Sequence, residues 1–156
     1  MTRTDFIIKA IEKKHLSELS GKNNNLFRNA RWTIAKSKPG YPCRVSLKEA
    51  EIGESILVVT YKYHDVDSPY QASGPIFIRE NAETAKLKTN EIPEILAERL
   101  LSVRAYNLNS EMIAAETTQG LGLRRIIQKQ FLNSEAEYLQ VHNANPGCFS
   151  CNIFRV

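Results

Sequence analysis

Two stretches that combine proline with glycine fix where this chain must turn. Pro39, Gly40 and Pro42 fall within four residues of each other, and Pro146-Gly147 repeats the combination near the end of the sequence. Proline lacks a backbone N–H and glycine tolerates unusual backbone angles, so neither stretch belongs inside a helix or a strand. Cys43 follows the first turn and Cys148 follows the second. The two turns therefore divide the chain and indicate the rim of a candidate pocket.

The spacing of apolar residues between these turns predicts the regular elements. Strands are predicted at 6–8, 30–35, 55–63, 76–80, 100–106, 111–118, 137–142 and 149–154, and helices at 12–20, 93–98 and 123–131. Ser46 followed by Glu49 matches a capping box, which predicts one helical turn over 47–51. A long loop is predicted over 64–75, and long loops are often functional.

These elements predict an α+β fold, with two or three α-helices packed on a largely antiparallel β-sheet. The segment 55–63 is apolar on both faces over its first half, which is typical of a central strand. The sequence shows no linker or internal repeat, so we expect residues 1–156 to form a single domain.

Composition excludes several classes of protein. The 156 residues are 42% hydrophobic and 24% charged, as in ordinary globular domains. A net charge of +4, spread evenly, argues against nucleic-acid binding. No apolar run reaches the ~18 residues of a transmembrane helix, and no signal peptide is recognisable. Three cysteines do not make a secreted disulfide framework. We therefore expect a cytoplasmic protein without membrane association, whose oligomeric state stays open.

Cys43 is a candidate nucleophile. A neighbouring cation or a helix N-terminus favours the reactive thiolate, and Arg44 adjoins Cys43 in the sequence. The alternative is that Cys43 is a small buried apolar residue behind a rigid turn.

Two histidines are candidates for proton transfer or ligand binding. His142 ends a strand at the second turn, where its ring can act as a base towards a thiol or as an acid towards a substrate. It can equally hold the turn in place by hydrogen bonds. His64 heads the long loop and has the same two interpretations with a weaker case.

Arg104 is the strongest candidate for binding a ligand. On a strand, Ser102, Arg104 and Tyr106 share one face, while apolar residues occupy the other. A covered guanidinium needs an anionic partner, which can be a ligand carboxylate or phosphate, or an acidic residue of the chain itself. Tyr138, Gln140 and His142 share a strand face in the same way, so the two polar rows are expected to line one surface.

The sequence predicts neither a metal site nor a cofactor. Cys43, His64, His142 and Cys148 are suitable zinc ligands, but none has a paired ligand next to it in the sequence. Cys148 and Cys151 would point to opposite faces of a strand, so they are predicted not to form a disulfide. Phosphate-loop, dinucleotide and nucleophile-elbow motifs are also missing from the sequence.

Four motifs, taken together and in order, resemble a known bacterial family. They are Pro39–Leu47, Ser68-Pro69-Tyr70 with Gly74–Glu80, Leu101–Tyr106, and His142-Asn143-Ala144 with Gly147-Cys148-Phe149. The chain is similar over nearly its whole length to the family catalogued as domain of unknown function 1203. The resemblance implies a small stand-alone bacterial protein with no established activity. Tyr70 and Arg79 lie in these motifs and join the ligand-binding candidates. Gln71 stands where the family usually has arginine, and Cys151 looks like a local addition.

Two functions from different classes fit these residues. The first is a site for a small anionic molecule, enzymatic or merely binding, formed by the Cys43-Arg44 turn, the 64–75 loop, Arg104 and the His142 turn. The second is a protein- or nucleic-acid-binding module in which the motifs are only structural. Convergence of Cys43, Arg104 and His142 in one concavity favours the first.

Overall fold

The structure, a computed structural model, describes residues 3–19 and 29–156. The strands are β1 Phe6–Lys9, β2 Arg31–Ile34, β3 Ser55–His64, β4 Ala72–Arg79, β5 Leu100–Tyr106, β6 Met112–Gln119, β7 Tyr138–Asn143 and β8 Phe149–Arg155. The helices are α1 Lys13–Leu19, α2 Glu94–Ala97 and α3 Leu123–Phe131, and a short 3-10 turn, Gly120–Gly122, precedes α3. The predicted α+β class is confirmed, with small helices.

The strands pair antiparallel throughout and are divided between two sheets. The larger sheet has the order β1-β8-β7-β5-β6, and the smaller has the order β2-β3-β4. The prediction that β3 is a central strand is confirmed, because β2 and β4 flank it.

One face of the larger sheet packs against α3. The apolar side chains of this helix, Leu123, Ile126, Ile127 and Phe131, are buried, and they pack on the alternate residues of β5 and β7 that point towards the helix. Fully burying one such leucine or isoleucine side chain contributes about 1.5–3 kcal/mol. This helix-side core uses Leu101, Val103 and Ala105 of β5, so Ser102, Arg104 and Tyr106 must point to the opposite face.

The opposite face of the larger sheet packs in part against the smaller sheet. Phe149 of β8 lies in a buried cluster with Cys43 and with Val59 and Ile76 of β3 and β4. Cys43, which follows the first proline-glycine turn, is therefore held between the two sheets, whereas Pro39 and Gly40 of the turn are exposed.

The predicted helical turn over 47–51 is wrong. Residues 41–50 instead form a tight loop in which Pro42 and Glu49 make an antiparallel bridge. One carboxylate oxygen of Glu49 accepts hydrogen bonds from the backbone N–H groups of Gly40 and Tyr41, and the other pairs with Arg99. Glu49 is therefore unable to cap a helix, and Leu47 takes a left-handed φ of 52°.

The loop predicted over 64–75 is shorter in the structure, because β4 already begins at Ala72. Gly74 and Pro75 suggested a loop, yet both lie within β4. Proline is tolerated on an edge strand, where its missing N–H breaks no ladder, and β4 is at the edge of its sheet.

Gly120 allows two segments to approach closely. A Cβ atom at this position would lie 2.0 Å from the carbonyl oxygen of Leu96 and 2.6 Å from that of Ala97. The backbone N–H of Gly120 also donates to the carbonyl of Arg99. The end of α2 and the turn before α3 are therefore packed backbone against backbone.

We predict that Gly120→Ala destabilises the fold by about 2 kcal/mol or more, because backbone atoms cannot move aside as a flexible side chain can. Gly74→Ala is the matched control, since its Cβ would meet only a Tyr63 ring carbon at an ordinary 3.6 Å. Urea unfolding of both variants measures the difference. A Gly120→Ala free energy of unfolding within about 0.5 kcal/mol of the parent value would contradict the close packing.

Candidate functional site

Six polar side chains lie side by side on the face of the larger sheet opposite α3. The pairing of β5 with β7 sets Ser102 opposite His142, Arg104 opposite Gln140, and Tyr106 opposite Tyr138. We call these six residues the polar strip. Paired residues in antiparallel strands have side chains about 5 Å apart on the same face, so the two predicted polar rows form one surface.

The smaller sheet covers half of the polar strip. The carbonyl oxygen of Tyr63, near the end of β3, accepts a hydrogen bond from the amide of Gln140. The ring of Tyr63 stacks on Phe149 and meets His142 edge-on at 5.2 Å. Gln140 and His142 are buried as a result, whereas Ser102 and Arg104 on β5 keep part of their surface open.

His142 is a buried, neutral ring at neutral pH. Its Nδ1 lies 3.0 Å from the carbonyl oxygen of Gly147, and its Nε2 lies 3.0 Å from the side-chain amide of Gln140. Burial lowers the pKa of His142 to about 4, and the positive charges of Arg104 and Arg44 act in the same direction. The hydrogen bond to Gly147 opposes this pKa shift but is outweighed. His142 thus holds the second turn to β7.

Arg104 has a hydrogen-bonding partner but no anionic one. Its Nε donates to Ser102 Oγ at 3.2 Å, and its positive charge opposes the rise in the pKa of the neighbouring Tyr106 hydroxyl. In the part of the chain that the structure describes, no carboxylate lies within 4.0 Å of it. Burial raises the pKa of the Tyr106 hydroxyl, which therefore stays protonated as a neutral neighbour.

His64 and the tyrosines close one end of the polar strip. One ring nitrogen of His64 lies 2.7 Å from the carbonyl oxygen of Tyr70, and the other lies 2.6 Å from the hydroxyl of Tyr138. Tyr138 stacks on Tyr106, and the half-exposed ring of Tyr70 meets Tyr106 edge-on. The loop 65–71 is in this way tied to the sheet and forms an aromatic wall beside Arg104.

Arg44 lies buried behind the second turn. Its Nε and Nη1 donate to the carbonyl oxygens of Phe149 and Pro42, each at 2.5 Å, and its Nη2 lies 3.1 Å from Cys148 Sγ. Burial lowers the pKa of Arg44. This guanidinium faces Cys148 of the second turn.

Cys43 is fully buried between the sheets. Its sulfur accepts long hydrogen bonds from the backbone N–H groups of Ser46 and Arg79, both at 3.4 Å. No side of Cys43 is open to a ligand in this structure, and its neighbour Arg44 donates elsewhere. Its role as a nucleophile stays a prediction, and so does a ligand site formed jointly by the Cys43-Arg44 turn and the His142 turn.

Arg79 lies apart from the polar strip. Its Nε pairs with Glu54 at 2.9 Å, and its Nη1 reaches Ser46 Oγ at 3.4 Å. It borders a cleft of about 1050 Å³ whose floor includes Leu47 and Ile95 and whose rim carries both acidic and basic side chains. Neither Arg104 nor His142 lines this cleft.

The structure therefore gathers most of the sequence candidates and separates two. Ser102, Arg104, Tyr106, His142, His64 and Tyr70 belong to the polar strip or its aromatic wall, and Arg44 lies next to them. Cys43 is enclosed, and Arg79 faces another surface. Sequence reasoning did not single out Tyr63, which covers the strip, or Asn143, whose Nδ2 lies 3.4 Å from Cys148 Sγ. The alternation in β7 indicated that Tyr138 and Gln140 share a face with His142. No local sequence pattern predicts a contact between residues of two different sheets, such as that of Tyr63 with His142.

Residues 3–19 and 29–156 contain no group of three or more Cys, His, Asp or Glu side chains placed to hold a metal ion. They also contain no helix of the length and apolar character needed to cross a membrane.

Comparison with known proteins identifies a matching family. A family model described as "Protein of unknown function (DUF1203)" matches residues 40–155, which include both proline-glycine turns and the whole polar strip. No curated protein and no solved structure matches the chain.

We predict that His142 makes stability fall as pH drops from about 6.5 to about 4. The unfolded chain takes up a proton on this ring near pH 6.5 and the folded chain only near pH 4, so acid favours unfolding by up to about 3 kcal/mol from this residue. Unfolding free energies measured across this range, for the parent and for His142→Asn, provide the check. Parallel curves for the two proteins would show that His142 does not titrate in this way.

Proposed function

The chain belongs to the DUF1203 family, whose description assigns no activity, and on the geometry of the polar strip we propose that it binds a small anionic molecule at Arg104. The ligand group is a carboxylate or a phosphate, because a guanidinium offers these planar or multi-oxygen anions a fork of parallel donors. Three unpaired cysteines also fit a reducing compartment, so we place the protein in a bacterial cytoplasm.

The observation that supports this proposal is that Arg104 carries a positive charge but has no negatively charged partner in the described residues. Two other partly buried arginines of the described chain have carboxylate partners, since Arg79 pairs with Glu54 and Arg99 pairs with Glu49. Arg104 has only the neutral groups of Ser102 and Tyr106. A partly desolvated cation gains most from an anion that arrives from outside, because the interaction is screened less than on an open surface.

The groups around Arg104 add to the preference for an anion. The buried guanidinium of Arg44 adds a second positive charge near the strip, which lowers the pKa of His142 together with Arg104. The hydroxyls of Ser102 and Tyr106 can donate to the same oxygen atoms that Arg104 binds. The exposed ring of Tyr70 offers a flat apolar wall to the rest of the molecule.

The polar strip offers less support for a protein- or nucleic-acid-binding module. Such modules present cations on an open face, in contact with an extended anionic partner. Here Arg44 is buried and Arg104 is half-covered beside Tyr106. A small ligand group can reach this position more readily than a phosphate backbone can.

We predict that Arg104→Ala changes the free energy of unfolding by less than about 0.5 kcal/mol, because no carboxylate is left unpaired. The parent protein should gain about 1.4 kcal/mol at a ligand concentration of about ten times Kd. Thermal melts with phosphate, sulfate and small carboxylates at millimolar concentrations measure both effects. The variant should lose this gain and retain only the general salt effect that sulfate and phosphate have on any protein.

Arg79→Ala is the matched control. It breaks the partly exposed pair with Glu54, and we expect it to lose about 1 kcal/mol while keeping the full response to anions. An equal response of the parent protein and Arg104→Ala to every anion would overturn the proposed function, and so would a large loss of stability in Arg104→Ala.

A further inference from the structure

Three polar contacts in a row connect the second turn to the smaller sheet through two buried side chains. The carbonyl oxygen of Gly147 lies 3.0 Å from Nδ1 of His142, and Nε2 of His142 lies 3.0 Å from Oε1 of Gln140. Nε2 of Gln140 then lies 3.4 Å from the carbonyl oxygen of Tyr63. His142 is 0% exposed and Gln140 is 1% exposed. We call these four groups the buried row.

The buried row is one proton short when His142 is neutral. A carbonyl oxygen can only accept a hydrogen bond, and the row has one at each end, so its three contacts need three donors. A neutral imidazole donates through one nitrogen only, and the amide of Gln140 donates on one side and accepts on the other. Two donors are therefore present. Turning the amide over, or moving the proton to the other ring nitrogen, only shifts the contact between two acceptors to another place in the row.

A protonated His142 completes the buried row. Both nitrogens of an imidazolium donate, so Nδ1 donates to the carbonyl of Gly147 and Nε2 donates to Oε1 of Gln140. The nitrogen of Gln140 keeps its hydrogen bond to Tyr63. The hydrogen bonding of the row thus favours the charged ring, and what opposes it is the electrostatic environment.

Burial and positive charge keep this proton off the ring. Burial is the main reason that the pKa of His142 is lowered to about 4, and three basic groups add to it, namely Arg104 of β5, Arg44, and His64 at the end of β3. The rings of Tyr63 and Phe149 pack on it edge-on, and the thiol of Cys148 contacts Arg44. Arg44 and His64 are buried, whereas Arg104 is half-exposed. An anion from solvent can therefore reach the charge of Arg104.

We propose that an anion bound at Arg104 is bound together with a proton, which His142 takes up. This inference rests on the proposed function, because Arg104 must first bind the anion. Arg104 pairs with Gln140 and is therefore a diagonal neighbour of His142 on the same face, about 7–8 Å away in the usual geometry of paired strands. A negative charge there offsets that of Arg104, and the half-covered position screens it less than open water would.

The proton and the anion strengthen each other's binding, because such coupling is reciprocal. Binding of the anion raises the pKa of His142 from about 4 towards its ordinary value of 6.5, so a falling pH favours anion binding across this window. The gain is absent well above pH 6.5 and complete below about pH 4. The completed row then ties the second turn to the smaller sheet while the ligand is bound.

The test is the pKa of the His142 ring, followed by NMR of the ¹⁵N-labelled full-length chain with and without sulfate. Sulfate is the probe because it keeps its double negative charge over the whole range. We expect saturating sulfate to raise this pKa from about 4 to about 5 or above, a tenfold or larger gain in proton affinity. The signal of the exposed His15 is the reference for the general effect of salt.

The same titration separates failure of this inference from failure of the proposed function. A sulfate-induced shift of the Arg104 Nε–H signal without any change in the pKa of His142 would overturn the inference and leave the proposed function standing. If Arg104 does not respond to sulfate at any pH, the proposed function is wrong, and this inference with it.

Two variants assign the effect to His142. The affinity of the parent for sulfate should be about tenfold higher at pH 5 than at pH 7.5. His142→Asn should lose this difference, whereas His15→Asn, which removes an exposed histidine far from the row in sequence, should keep it. Circular dichroism checks that each variant is folded at both pH values, and the NMR titration of the parent decides the question if His142→Asn is not. A tenfold difference that survives in a folded His142→Asn would contradict the role given to His142.

Discussion

The buried guanidinium of Arg44 is the interaction on which the rest of the site depends. Its N–H groups donate to the carbonyl oxygen of Pro42 in the first proline-glycine turn. They also donate to the carbonyl oxygen of Phe149 and to the sulfur of Cys148, which follow the second turn. Arg44 therefore joins segments that are more than a hundred residues apart in the sequence. An isolated buried ion would be unfavourable by several kcal/mol, and no carboxylate pairs with Arg44 in the described residues. Carbonyl dipoles and a sulfur atom compensate it instead. The two turns are therefore held together by a positive charge that stays within the site.

Burial keeps His142 neutral by lowering its pKa, and the charges of Arg104 and Arg44 add to that effect. This histidine therefore contributes hydrogen bonds rather than charge at neutral pH. Positive potential then remains in two places. One is the sulfur of Cys148, where Arg44 itself donates, and the other is the half-open end of the polar strip, where Arg104 lacks a counter-charge. One arrangement of backbone turns thus leaves one guanidinium beside Cys148 and another on the half-open polar strip.

Much of the fold and of the polar strip follows from short-range patterns. Period-two alternation predicted that the polar rows of β5 and β7 line one surface, and the pairing of the two strands confirms it. Contacts between distant segments were not predictable. The side chain of Glu49 is taken by Arg99 and by two backbone N–H groups, which removes the helical turn expected at 47–51. Likewise, sequence adjacency linked Arg44 to Cys43, whereas long-range packing turns its guanidinium towards Cys148.

The most direct test of an anion site at Arg104 is an NMR titration of the ¹⁵N-labelled protein with phosphate, following the side-chain Nε–H groups of Arg104 and Arg79. Arg104, which lacks an anionic partner in the described residues, is the probe, and Arg79, which pairs with Glu54, is the reference within the same sample. We predict a saturable shift of the Arg104 signal at phosphate concentrations that leave the Arg79 signal in place. Equal small shifts of both signals, or no shift at Arg104, would contradict the account.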